Sequence, residues 1–412
     1  MPTARTFLRC VAAGAVAITA TPLSSHAQPS AEAAATQTVS YHGYVLQAPA
    51  GWRVVDLDRN PTACVLLDRP TVYVGSAGEL QSCPSHAVGG APVVWVQPAG
   101  TASQLARATR VADGAATTVR PDGDGQTSVL VERAGVLVST YGGSAASSLL
   151  STARLTTGAS PATARPAGTA TATQLTSFEV PGTFNGKGFD ACTAPSGTVM
   201  SAWKQSTDYR SIGIYIGGVS RACAQPNLTA DWVANRVNGG WHLLPIHVGL
   251  QAPCTGFANR LSSDASTARD QGRAAAGNAV NNAGDLGIGT NSVIYYDMEA
   301  YDNTNSTCRR AVLSFLSGWT NRLHELNYRS GVYSSVSSGI SDLSDTYDST
   351  SYARPNHIWG AWWNLEANVE LRPYVPSSQW SNAQRVHQYR GGHTETHGGY
   401  TLNIDNNFLD VH

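Results

Sequence analysis

After residue 178 the chain alternates short apolar strands with stretches of helical period, which predicts an α/β protein with a (β/α)8 TIM-like barrel over 178–412. Two further observations support this class. The segment runs to about 235 residues, the size at which eight β-α repeats close on themselves. No G-x-G-x-x-G follows its first strand, which argues against a doubly wound nucleotide-binding sheet. A small β-rich or α+β domain is expected before it, over 38–142, with an Ala/Thr/Pro-rich linker over 143–177 between the two.

Each element has its own signal. The expected barrel strands are 187–190, 211–216, 242–248, 292–299, 329–334, 357–362, 385–389 and 401–405, short apolar runs bounded by turn residues. Helical stretches fall at 199–205, 230–237, 264–283 and 308–326; in the last, Leu313, Leu316, Trp319 and Leu323 recur at spacings of three and four. The first domain shows β-like runs at 44–46, 52–55, 64–67, 93–96, 128–131 and 135–138. From Thr156 to Thr173 every residue but Arg165 is Ala, Thr, Ser, Gly or Pro, too little apolar surface to offset the entropy of ordering.

Composition narrows the function. With 42% apolar residues and 10 Trp the chain folds, and with 13% charged residues and a net charge of -1 it lacks the basic footprint of a nucleic-acid partner. Arg5 and Arg9, an apolar run from Cys10 to Ala20 and Ser25-His26-Ala27 read as a signal peptide over 1–27, and no later run is long enough to span a bilayer. The mature protein is therefore expected to be secreted, with cell-wall association an open option. Removing Cys10 leaves Cys64, Cys83, Cys192, Cys223, Cys254 and Cys308, an even set that reads as three disulfides rather than a metal site. If the two halves fold separately, Cys64 pairs with Cys83 and the other four have three possible connectivities.

In such a barrel the chemistry lies where strands end, and four carboxylates stand there. Asp190 ends the first expected strand, Asp297 and Glu299 the fourth, and Asp405 the eighth. Strands one and eight are neighbours in a closed barrel, which sets Asp190 beside Asp405. Asp297 and Glu299, two apart on a strand, share a face. Carboxylates so close hold one proton between them more tightly than either would alone, as cleavage of a glycosidic bond by an acid and an anion requires.

As an ordered set, Gly188-Phe189-Asp190, Tyr295-Tyr296-Asp297-Met298-Glu299, Gln388-Tyr389 and Asn403-Ile404-Asp405-Asn406 resemble the exported bacterial glycoside-hydrolase-like domain of the DUF1906 type, over roughly 185–412. That domain is similar in turn to the family 25 lysozymes (N-acetylmuramidases). The resemblance implies a barrel acting on peptidoglycan or a related polysaccharide, with Glu299 as general acid, Asp297, Asp190 and Asp405 assisting, and no cofactor or metal. Cys192, close after Asp190, departs from those lysozymes.

A sugar cleft also needs aromatic faces. Tyr215, Tyr333, Trp362, Trp363, Gln388 and Tyr389 are the expected substrate contacts, while His247 and His387 read as hydrogen-bonded core histidines. Alternation sets Trp359 and Trp363 on one face and Trp362 on the other. Two rival readings keep the barrel: a non-catalytic glycan-binding module, and a phosphodiesterase whose carboxylates hold Mg²⁺ or Ca²⁺.

Overall fold

The computed structural model describes residues 35–85, 88–100, 108–112, 114, 119–156 and 177–412. The expected signal peptide and most of the expected linker lie outside them.

Nine strands precede the barrel among the described residues: β1 (Thr36–Tyr41), β2 (Tyr44–Pro49), β3 (Arg53–Asp56), β4 (Thr71–Val74), β5 (Val93–Pro98), β6 (Thr109–Val111), β7 (Thr127–Val131), β8 (Val136–Tyr141) and β9 (Arg154–Leu155). They form a small sheet in the order β1-β2-β9 and a six-stranded sheet in the order β3-β4-β5-β8-β7-β6. Valines at alternate positions, including Val94, Val96, Val129, Val131 and Val138, bury one face of the larger sheet against Tyr44 and Leu46. Residues 143–156, read from sequence as the start of the linker, carry the short helix α1 (Ser144–Ser147) and β9, which pairs with β2. The apolar run 64–67 is not a strand. Its backbone bonds instead to a barrel loop, Leu67 N to Ala222 O and Ala224 N to Val65 O, and Cys64 is tied to Cys83.

Eight strands close the barrel: β10 (Phe184–Asp190), β11 (Ser211–Gly217), β12 (His242–His247), β13 (Val293–Asp297), β14 (Arg329–Ser335), β15 (His357–Ala361), β16 (Gln384–His397) and β17 (Tyr400–Val411). The helices outside it are α2 (Gly197–Ser206), α3 (Ala230–Asn238), α4 (Ala265–Asp285), α5 (Ser306–Glu325) and α6 (Ser341–Asp345). The first four of these start at Ser196, Thr229, Asp264 and Asn305, each of which accepts a backbone N–H with its side chain. Inside, Leu244, Ile246, Tyr295, Trp359 and Leu409 fill the lumen. None of these helices is long and apolar enough to cross a membrane.

The expected run of eight β-α repeats breaks at its end. β10 to β16 are parallel, but β17 runs antiparallel to both β16 and β10. The reason is local: His397-Gly398-Gly399-Tyr400 makes a two-residue turn with φ 58° and 84° at the glycines, the positive angles that a tight hairpin needs and that glycine adopts without strain.

Two disulfides tie loops on one side of the barrel. Cys192–Cys223 joins the segments after β10 and β11, and Cys254–Cys308 joins the loop after β12 to the first turn of α5. Helices α4 and α5 meet along small residues: a Cβ on Gly272 would strike Phe315 O, and one on Gly318 would strike Arg269 O. Gly272→Val therefore forces the helices apart, and we expect a loss of about 1–3 kcal/mol in urea unfolding.

Candidate active site

Asp190 is the last residue of β10 and pairs in register with Asp405, which lies in the middle of β17 rather than at a strand end. The reversed strand thus still sets the two aspartates level. Asp297 closes β13, and Glu299 stands two residues beyond it, off the strand. Its position is set by Gln251, fully buried in the loop after β12. The Gln251 amide donates to Asp297 O (2.9 Å) and accepts from Glu299 N (2.9 Å). Met298 N bonds to Tyr333 O, tying the segment to β14.

Polar side chains hold Asp190 in place. Tyr215 donates its hydroxyl to Oδ1 (3.3 Å), and Gln388 (3.1 Å) and Asn407 (2.7 Å) donate their amides to Oδ2. Gln388 in turn accepts from the Tyr333 hydroxyl (3.1 Å) and from Trp363 Nε1 (3.0 Å), and Trp359 Nε1 donates to Asn407 (2.9 Å). Gly392 N donates to Asp405 Oδ1 (2.5 Å). Room for this network comes from Gly213 on β11, where a Cβ would lie 2.7 Å from Asp190 Cβ.

The tyrosines report the charge around them. Burial first, then Asp190, Asp297 and Asp405, push the Tyr215 hydroxyl well above the usual range. Burial, then Glu299, Asp297, Asp190 and Asp405, do the same at Tyr333. All four carboxylates therefore act on Tyr333, whose O–H stays protonated and able to donate.

The structure brings together Asp190, Asp297, Glu299, Asp405, Tyr215, Tyr333, Gln388 and Trp363. Two expected contacts fall elsewhere. Trp362 packs edge-on against Tyr374 and beside His387 in the shell outside the strands. Tyr389 also points outward, against His387 and toward Glu395. His387 has both ring nitrogens on backbone carbonyls, and His247 is buried 3.9 Å from Asp124. Sequence reasoning passed over Gln251 and Asn407. Asn407 was within reach, since it shares a face with Asp405 two residues before it; Gln251 lies in an irregular loop that gives no periodic signal.

Beyond the barrel, the β16–β17 hairpin carries a second carboxylate centre. Glu395 accepts from His393 and His397 (2.8 Å each), Tyr209 and Asn406.

The fold is a TIM-like barrel closed by eight strands, with four carboxylates gathered among buried tyrosines and amides. More particularly, residues 201–409, just over half of the chain, match the Rv2525c-like, glycoside hydrolase-like domain, and the chain belongs to that family. Asp297, Glu299, Gln388 and Asp405 lie inside the matched span; Asp190 precedes it.

Three solved structures are similar. An uncharacterized protein of B. stearothermophilus is 22% identical over 54% of this chain and 95% of its own (TM-score 0.36). The modular autolysin LytC from Streptococcus pneumoniae is 11% identical over 70% and 61% (0.32). A chitinase from Chromobacterium violaceum is 10% identical over 52% and 82% (0.28). No curated protein matches.

Two measurements test this architecture. Asn407→Leu takes a donor from Asp190 and the acceptor from Trp359 Nε1, so we expect a loss of about 1–3 kcal/mol in urea unfolding. At Glu395 burial pushes the carboxyl up, but the bonds from His393, His397, Asn406 and Tyr209 outweigh it and hold it at about 2, against an ordinary 4.5. A depressed value contributes stability above the unfolded value and loses it as the pH falls through the folded one. The stability advantage over Glu395→Gln should therefore be full above about pH 4.5 and shrink toward pH 2, measured by thermal unfolding across that range.

Proposed function

We propose that the barrel mouth binds a cell-wall-type glycan, peptidoglycan or a related polysaccharide, and cleaves it by carboxylate acid/base chemistry, in a protein secreted from the cell. The observation that carries this reading is a difference in burial. Asp190, Asp297 and Asp405 are 1%, 5% and 0% exposed, whereas Glu299 is only half-buried. Glu299 is thus the carboxyl that a bound glycosidic oxygen can reach, and it donates the proton as the C–O bond breaks.

Beneath it the three aspartates favour the positive charge that develops on the sugar ring in an oxocarbenium-like transition state. Asp190, already taking bonds from Tyr215, Gln388 and Asn407, holds position and field. Asp297, bound to Glu299 through Met298, is the second reacting group, stabilising an N-acetyl-assisted intermediate. Water then adds its hydroxide to the anomeric carbon and returns a proton to Glu299. Trp363, 54% exposed with its N–H fixed on Gln388, offers an apolar face for a sugar ring. Membership of a glycoside hydrolase-like family supports the substrate class, and three disulfides fit an extracellular setting.

Glu299→Gln should keep binding purified peptidoglycan while release of reducing ends falls by about 10²–10⁴-fold. Activity should be indifferent to EDTA. Binding by the wild type without new reducing ends would leave a glycan-binding barrel, and loss of activity with EDTA would restore the metal-dependent reading.

A further inference from the structure

The residues from Thr36 to His412 form one compact unit, so the six-stranded sheet and the barrel share an interface. The sheet uses its two faces differently. One carries the valines described above. On the other, Tyr73, Val93, Trp95 and Tyr141 pack with Ala224 of the barrel. The same face continues with Gln97, Ser128 and Ser139, since Ser139 pairs with both Trp95 and Ser128 and Gln97 stands two residues beyond Trp95. Amide and hydroxyl groups stand here where packing between two bodies would call for apolar side chains.

These polar residues line a cavity of about 310 Å³ whose opposite wall includes Ile216, Arg221 and Asn282, and none of the residues gathered at the barrel mouth lines it. Its wall carries three carboxylates, Asp122, Asp124 and Asp285, beside the guanidinium groups of Arg120 and Arg221. Asp122 accepts the backbone N–H of Asp124 and Gln126, Asp124 accepts from Asn282 (2.5 Å), and Arg221 donates through Nη2 to Gln126 (3.2 Å). Arg221 Nε and Asp124 Oδ1 are buried without a hydrogen-bond partner among the described residues, and the Arg221 guanidinium lies over the Tyr141 ring (5.8 Å).

A ligand here meets hydroxyls, the Gln97 amide, nearly balanced carboxylate and guanidinium groups, and the apolar surface of Leu137 and Tyr141. That combination suits a neutral molecule with many hydroxyls and an apolar ring face. The volume, at the small end of ligand sites of roughly 300–1,000 Å³, limits it to a short one. We propose that the cleft between the N-terminal sheet and the barrel flank is a second carbohydrate site, for a short neutral saccharide, separate from the carboxylate mouth. It does not rest on the catalytic reading, and it assigns the N-terminal region a share in holding the glycan.

The test uses the full chain with Glu299→Gln, which prevents turnover, titrated with N,N′-diacetylchitobiose by calorimetry. We expect saturable binding, about tenfold weaker with Gln97→Leu added, as for one lost hydrogen bond, at unchanged melting temperature. Ser139→Phe, which fills the cavity, should remove it. No binding, or binding that Gln97→Leu leaves unchanged, would overturn the proposal. Should Ser139→Phe fail to fold, Gln97→Leu decides alone. Hydrolysis of a small soluble glycoside by the Gln97→Leu chain with Glu299 intact should match the wild type, so failure of the cleft and failure of the mouth read out separately.

Discussion

Closure of the barrel by an antiparallel strand is the constraint on which the rest of the site depends. β17 lies between β16 and β10, and its register alone sets which of its residues stand level with Asp190. Because side chains alternate across a strand, a one-residue slip would turn Asp405 and Asn407 away from the lumen and bring Asn406 inward. In the observed register Asn407 meets Asp190 and Trp359 inside, while Asn406 joins Tyr209 and Glu395 outside. One strand thereby couples the lumen to the hairpin that rises beyond it.

Carboxylates gathered in a lumen must be solvated by the protein. Here tyrosine hydroxyls, amides and indole N–H groups form the surrounding network. The donors to Asp190 are neutral, and hold the anion without cancelling its charge as an arginine would. The same economy explains why a chain with 13% charged residues can carry so concentrated a site.

The N-terminal region is joined to the barrel by more than contact of surfaces. Cys64 Sγ lies 3.5 Å from Cys223 Sγ, so the disulfides Cys64–Cys83 and Cys192–Cys223 pack on one another where backbone from 65–67 meets backbone from 222–224. Since Cys223 is also tied to the segment after Asp190, the N-terminal region braces the rim that carries the first carboxylate.

Much of this was legible in the residues themselves. Short apolar runs bounded by turn residues located all eight barrel strands to within a few residues at most boundaries, and helical periods located α2 to α5. Strand ends picked out Asp190, Asp297, Glu299 and Asp405 as one group, because ionisable residues closing apolar runs have no packing role. What periodicity cannot carry is direction in space. It does not distinguish a parallel from an antiparallel final strand, so Asp405 was expected at a strand end and sits in mid-strand. It could not tell that Trp362 and Tyr389 turn toward the shell, that Gln251 reaches from an irregular loop to hold Glu299, or which of Cys192, Cys223, Cys254 and Cys308 are partners. The amino-acid sequence by itself determined the elements and the inventory of chemical groups, since these follow from local pattern. Tertiary structure decided which groups meet, because closure, register and loop contacts join residues up to about two hundred positions apart, as in the bond between Asn407 and Asp190.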